Sequence, residues 1–305
     1  MTTRRTFLAA AAATSILSAL PLTVGARTAR PARVRVQDGT SIYVKDWGGK
    51  GRPVILTHAW PLSADIWDRP AAALSNAGYR VVAYDRRGFG RSGKPDAGYD
   101  FDTFSDDLAT VMRELKLRDA ALIGYSMGGG EVVRYFSRHG GAGVTRAGFV
   151  GAAASYLLKT ADNPEGADAA VFEGIKEGVR KDRPGYLAGL LKNVFFDSGR
   201  PASTPVTAEM LDHWLKVALQ ADLQATLRCV DAFSGTDFRP ELAAVKVPTL
   251  VLHGDADLPV SIELGRATAR GISGAKLVEY PGVSHGLVVT EEKRVTRDLL
   301  DFLAV

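Results

Sequence analysis

Residues 120–136 read Ala120-Ala-Leu-Ile-Gly-Tyr-Ser-Met-Gly-Gly-Gly-Glu-Val-Val-Arg-Tyr-Phe136. The opening Ala120-Ala-Leu-Ile-Gly124 is a short apolar run without alternation, as in a strand buried on both faces. From 129 to 139, Val132, Val133 and Phe136 recur at helical spacing. Between them stands Gly124-Tyr125-Ser126-Met127-Gly128, the G-x-S-x-G pattern. Its small flanking residues let the chain turn sharply from strand to helix and hold a serine hydroxyl out in a strained backbone position. With 32 glycines in the chain the pentapeptide alone says little; the strand before it and the helix after it give it weight. The first amides of that helix face the serine and favour developing negative charge, which makes the Met127 N–H a candidate oxyanion donor.

Working outward, Pro53-Val-Ile-Leu-Thr57 and Tyr79-Arg-Val-Val-Ala-Tyr84 are similar apolar runs, and 65–77 and 101–115 have helical patterning. Strand alternating with helix predicts an α/β architecture: a mostly parallel, doubly wound sheet. Residues 34–47 alternate around Asp38-Gly39-Thr40 as an opening hairpin would. Further strands are expected at 147–153, 249–253 and 276–280. The core is therefore 34–154 and 240–305. It brackets an insertion, 155–239, that is rich in helix formers and carries Phe172, Phe195, Phe196, Leu211 and Trp214 without strand alternation. That insertion is expected to be a helical cap, with these aromatic and aliphatic side chains either forming its own core or touching substrate.

At 305 residues, 46% hydrophobic and 24% charged, the chain can bury a substantial core. Its first 26 residues have a basic start, an apolar stretch from Phe7 to Leu20, and small residues up to Ala26, the form of a cleaved export signal. The apolar stretch falls short of the roughly 20 residues a membrane span needs. Thr3-Arg4-Arg5-Thr6-Phe7-Leu8 resembles a twin-arginine signal, which implies a periplasmic or secreted product. Removing this segment, with Arg4 and Arg5 and no acid, lowers the formal charge from +4 to +2, too little to suggest a nucleic-acid partner. A linker is expected over 27–33. Cys229 stands alone, so no intramolecular disulfide can form, and it reads as a buried apolar residue. Neither an H-E-x-x-H pattern nor a cysteine cluster suggests a metal, and the glycine-rich stretch 85–92 lacks the spacing of a phosphate cradle, so its expected role is structural.

A serine hydroxyl becomes nucleophilic when a base takes its proton, and behind this kind of elbow the partners follow in the order acid, then histidine. His58 precedes Ser126, while His139 and His213 sit on predicted helices ahead of the last strands. His253 ends a strand. His285, in Tyr280-Pro-Gly-Val-Ser-His285-Gly286, is the one that follows an acid at a strand end. The acid is Asp255 or Asp257 in His253-Gly-Asp-Ala-Asp257, and spacing alone does not separate them. The other would be a turn residue bonding backbone. A second oxyanion donor is expected after the strand 53–57, where the Trp60 N–H is available and Pro61 has none.

The segments His58-Ala-Trp-Pro-Leu-Ser-Ala-Asp65 with Trp67, Tyr84-Asp-Arg-Arg-Gly-Phe-Gly-Arg-Ser92, Gly124–Val132, Asp231-Ala-Phe-Ser-Gly-Thr-Asp-Phe238, His253–Asp257 and Ser284-His-Gly286 carry a resemblance from about Val36 onward. The chain resembles the α/β hydrolases of the cofactor-free haloperoxidase and aryl esterase group. The resemblance implies Asp257 as the acid, Trp60 and Met127 as oxyanion donors, and no cofactor. It implies hydrolysis of small carboxylic esters through an acyl-serine, or peracid formation when hydrogen peroxide replaces water. A ligand-binding protein on the same fold is the remaining reading. Ala59, where the family usually has glycine, and the displaced Pro259 depart from the family pattern and bear on substrate preference.

Overall fold

The computed structural model describes residues 30–305 apart from Ser198, Arg200 and Pro201, so the expected signal at 1–26 lies outside the described residues. The chain opens with an antiparallel hairpin, β1 (Arg30–Arg35) and β2 (Ser41–Gly48). Asp38 closes its turn by accepting the Thr40 N–H at 2.9 Å. The expected linker is therefore too long. Residues 30–33 pair with 43–46, and backbone pairing at a sheet edge needs no apolar side-chain pattern to announce it.

Six strands follow: β3 (Pro53–Thr57), β4 (Arg80–Asp85), β5 (Ala120–Tyr125), β6 (Val144–Val150), β7 (Thr249–Gly254) and β8 (Lys276–Tyr280). β5 and β7 are buried at every residue, which is why they read as continuous apolar runs. The expected strand at 147–153 is shifted, because the chain leaves the sheet at Gly151 (φ +48°). Core helices are α1 (Asp68–Asn76), α2 (Phe101–Glu114) and α3 (Met127–His139). Asp100 caps α2 by accepting the Thr103 N–H at 2.8 Å. α3 begins two residues before its sequence pattern does, since Gly128, Gly129 and Gly130 carry no hydrophobic periodicity.

The insertion holds α4 (Ala169–Lys181), α5 (Arg183–Leu190), α6 (Ala208–Leu219) and α7 (Leu223–Gly235), with a π-helical turn at Leu191–Phe195. The chain ends with α8 (Ile262–Gly271), α9 (Leu287–Thr290) and α10 (Glu292–Ala304). Among the described residues no helix is long and apolar enough to cross a membrane.

The strand order is β1-β2-β4-β3-β5-β6-β7-β8, parallel from β4 to β8. From β3 the chain moves outward to β4, then returns across to β5 on the other side of β3. The connections after β3 and β5 thus diverge and open a crevice at the strands' carboxyl ends, where ligands bind in such sheets. Register brings Thr57, Gly124 and Phe149 into line there, with Val150 opposite Leu252 and Gly254 opposite Tyr280.

Beneath this crevice lies a buried ion pair. Arg86 gives two hydrogen bonds to Glu131 of α3, at 2.5 and 3.0 Å, and one to the His58 carbonyl at 3.0 Å. The Tyr84 hydroxyl donates to the other Glu131 oxygen. Burial and the neighbouring carboxylate push the Tyr84 phenol well above its ordinary pKa, so it stays a donor. Removing Glu131 would strand Arg86, whose side chain is 1% exposed. We therefore expect Glu131→Ala to lose about 3–5 kcal/mol of stability, read as a lower urea midpoint, and Glu131→Gln to lose less because an amide oxygen still accepts.

Candidate active site

Ser126 joins β5 to α3 at φ 53°, ψ −122°, a left-handed backbone for a residue with a side chain. Such a conformation costs on the order of 1–3 kcal/mol and persists only where its surroundings enforce it. Two glycines make this possible. A Cβ on Gly124 would lie 2.4 Å from the Gly128 carbonyl oxygen, and one on Gly128 would lie 2.2 Å from Thr57 Oγ1. α3 can therefore start directly against the ends of β5 and β3. Backbone bonds from the Ser126 N–H to the Val150 carbonyl (3.0 Å) and from the Ala153 N–H to the Ser126 carbonyl (3.0 Å) tie the elbow to the chain leaving β6.

His285 Nε2 lies 2.9 Å from Ser126 Oγ, and His285 Nδ1 lies 2.7 Å from Asp257 Oδ2. With Asp257 accepting the Nδ1–H, Nε2 presents its lone pair to the serine hydroxyl. The Val260 N–H donates to the other Asp257 oxygen at 2.8 Å. His253 Nε2 bonds the Val260 carbonyl at 2.8 Å, so the same residue is held from both sides. Burial lowers the His253 pKa, which keeps it neutral. The Tyr125 hydroxyl donates to the His285 carbonyl at 2.7 Å, and the Gly286 N–H donates to the Phe195 carbonyl at 2.7 Å. The Phe195 ring meets the imidazole edge to face at 4.9 Å. Asp255 accepts the Gly282 N–H at 2.5 Å, which fastens the turn leading to His285.

Among the described residues, the backbone N–H groups of Trp60 and Met127 have no acceptor, and both residues border the same cavity as Ser126 and His285. The Trp60 loop is hydrogen-bonded to two neighbouring segments. Its indole N–H donates to the Thr226 carbonyl at 3.0 Å, and the Arg86 N–H donates to His58 Nε2 at 2.9 Å. His58 Nε2 is thus an acceptor, and its Nδ1–H donates to the Ala59 carbonyl at 2.9 Å. Burial, then the Arg86 charge, holds the His58 pKa well below its ordinary value. The loop 85–92 is braced by Asp85, which accepts from the N–H groups of Ala64 and Arg91 and from the Arg91 guanidinium. Cys229 is buried. Among the described residues, no group of three His, Cys, Asp or Glu side chains is placed to hold a metal ion.

A serine–histidine–aspartate line at a strand-to-helix elbow, facing two free amides, can carry acyl transfer. The family model for the alpha/beta hydrolase fold matches residues 52–292. This chain belongs to the alpha/beta hydrolase family. The hydrolase is 41% identical to a non-heme haloperoxidase of Rhodococcus erythropolis, over 88% of this chain and 98% of that protein. It is 36% identical to a bifunctional esterase/perhydrolase of Acinetobacter calcoaceticus, again over 88% and 98% of the two chains. The crystal structure of a bromoperoxidase from Bacillus anthracis superposes with a TM-score of 0.86 at 41% identity, covering 90% of this chain and all of that one.

In this hydrolase the structure brings Ser126, Asp257 and His285 into one hydrogen-bonded line, with Trp60 and Met127 beside it, and places Asp255 outside it. Asp255 serves as a turn residue, but it bonds the backbone of a different loop rather than its own. The supporting roles of Tyr125, Phe195 and Val260 were not legible in the sequence: Phe195 and Val260 act through their backbone, and the Tyr125 hydroxyl reaches the carbonyl of a residue 160 positions away. The His285 Nδ1 proton, shielded from water and bonded to a carboxylate, should resonate well downfield of the backbone amides. The signal is expected to vanish in Asp257→Asn and to persist in Asp255→Asn, as proton NMR at low temperature would show.

Proposed function

We propose that the protein hydrolyses carboxylic esters through an acyl-enzyme on Ser126. The observation that carries this reading is the pair of contacts from His285, 2.9 Å to Ser126 Oγ and 2.7 Å to Asp257. His285 Nε2 takes the Ser126 proton as Oγ attacks the ester carbonyl. The resulting oxyanion is met by the Trp60 and Met127 N–H groups, reinforced by the positive end of α3. Asp257 stabilises the imidazolium, which then gives its proton to the departing alcohol. Water, deprotonated by His285, attacks the acyl-serine and releases the acid, and Ser126 recovers its proton.

A second reading has support from the esterase/perhydrolase and haloperoxidase relatives. Hydrogen peroxide in place of water attacks the same acyl-serine and leaves as a peracid, which oxidises halide in solution. The protein itself then needs no redox cofactor.

A fluorophosphonate probe is expected to label Ser126, and Ser126→Ala to lose about 10⁴-fold or more in nitrophenyl ester turnover. Peracid release from an acetate ester with hydrogen peroxide should disappear in the same variant. An unlabelled serine and no turnover of any ester would favour a ligand-binding role instead.

We further propose that Arg4 and Arg5 direct export through the twin-arginine route. Replacing both with Lys is expected to leave active full-length protein in the cytoplasm of the native host, as cell fractionation would show; unchanged export would indicate the general secretory route.

A further inference from the structure

The cavity at Ser126 has a volume of about 440 Å³, and among the described residues no Asp, Glu, Lys or Arg lines it. At about 30 Å³ per heavy atom, the share of a water molecule in the liquid, it accommodates roughly fifteen heavy atoms. An acetyl group has only three. Four large hydrophobic residues are strongly exposed among the described residues, and two of them, Val171 at 52% and Leu258 at 64%, border this cavity. They come from different elements, Val171 from α4 and Leu258 from the loop directly after Asp257. One turn along α4 from Val171, a side chain built on Gly174 would meet nothing within 4 Å, so the α4 side of the mouth is open.

An apolar side chain left in water at a cavity mouth gains burial only when something covers it. We propose that the substrates of this site are uncharged esters with an apolar arm of about six to ten carbons, whose far end lies between Val171 and Leu258. The inference rests on the ester-hydrolase reading above. A negatively charged arm would be buried without a partner in this cavity and is rejected.

The test is a pair of ester series at pH 7. Methyl esters from acetate to decanoate lengthen the acyl arm, and alkyl acetates from methyl to decyl lengthen the alcohol arm. Methyl hydrogen adipate serves as a charged control. In at least one series kcat/KM is expected to rise by up to about fourfold per methylene until the arm reaches the mouth, while the charged ester stays at or below the acetate value. In Val171→Asp and Leu258→Asp the ratio of kcat/KM for the long ester to that for methyl acetate should fall about fivefold or more, and Leu258→Ala should fall less. Leu223→Asp, which alters an exposed hydrophobic residue away from the cavity, is expected to keep the wild-type ratio. A ratio rather than a rate separates arm recognition from general damage. Turnover of methyl acetate with flat or falling values along both series, or an unchanged ratio in both aspartate variants, would overturn the proposal. Absence of turnover on every ester would instead overturn the hydrolase reading on which it rests.

Discussion

Everything at this site depends on how closely α3 approaches the ends of β3 and β5. The Gly128 carbonyl lies where a Cβ on Gly124 would be, and Thr57 lies where a Cβ on Gly128 would be. That contact makes the Ser126 backbone turn at φ 53° and fixes where its hydroxyl and the Met127 amide point. It also places the Thr57 end of β3, and therefore the Trp60 loop, next to the serine. A strained residue held this way spends folding free energy on geometry that the reaction needs before substrate arrives.

The histidine side is built differently, from contacts between distant segments rather than one tight turn. Tyr125, one residue before the nucleophile, holds the carbonyl of His285, and Phe195 holds the amide of Gly286. The insertion therefore bears directly on the base, because its π-helical turn bonds the loop that carries it. Val260 binds the acid with its amide and His253 with its carbonyl, so the carboxylate keeps one orientation toward the imidazole. A base held at its carbonyl by the Tyr125 hydroxyl, at the next amide by Phe195 and at Nδ1 by Asp257 has little rotational freedom to lose on the way to the transition state.

Below the site, the Arg86–Glu131 pair links the β4 loop, the His58 carbonyl and α3 in a single buried network. Such a pair is poor evidence of net stability, since desolvation offsets much of the attraction. Its value here is positional. Arg86 meets the Trp60 loop at His58 through both its backbone N–H and its guanidinium, so a shift of that loop would cost two buried hydrogen bonds.

The amino-acid sequence by itself determined the sheet strands apart from the bounds of β1 and β6, the elbow at Ser126 and the order of serine, acid and histidine. Those features are local: buried strands read as apolar runs, a turn with no room for Cβ demands glycine, and chain order is visible in any sequence. What the tertiary structure decided was which acid faces the base, since Asp255 and Asp257 differ by two residues in a loop whose path depends on contacts with Gly282, Val260 and His285. It also decided the early start of α3, the pairing of residues 30–33 at the sheet edge, and the roles of Tyr125 and Phe195. Each of these rests on contacts between segments far apart in the chain or on backbone bonds that any side chain could accompany, and neither leaves a mark on local composition or periodicity.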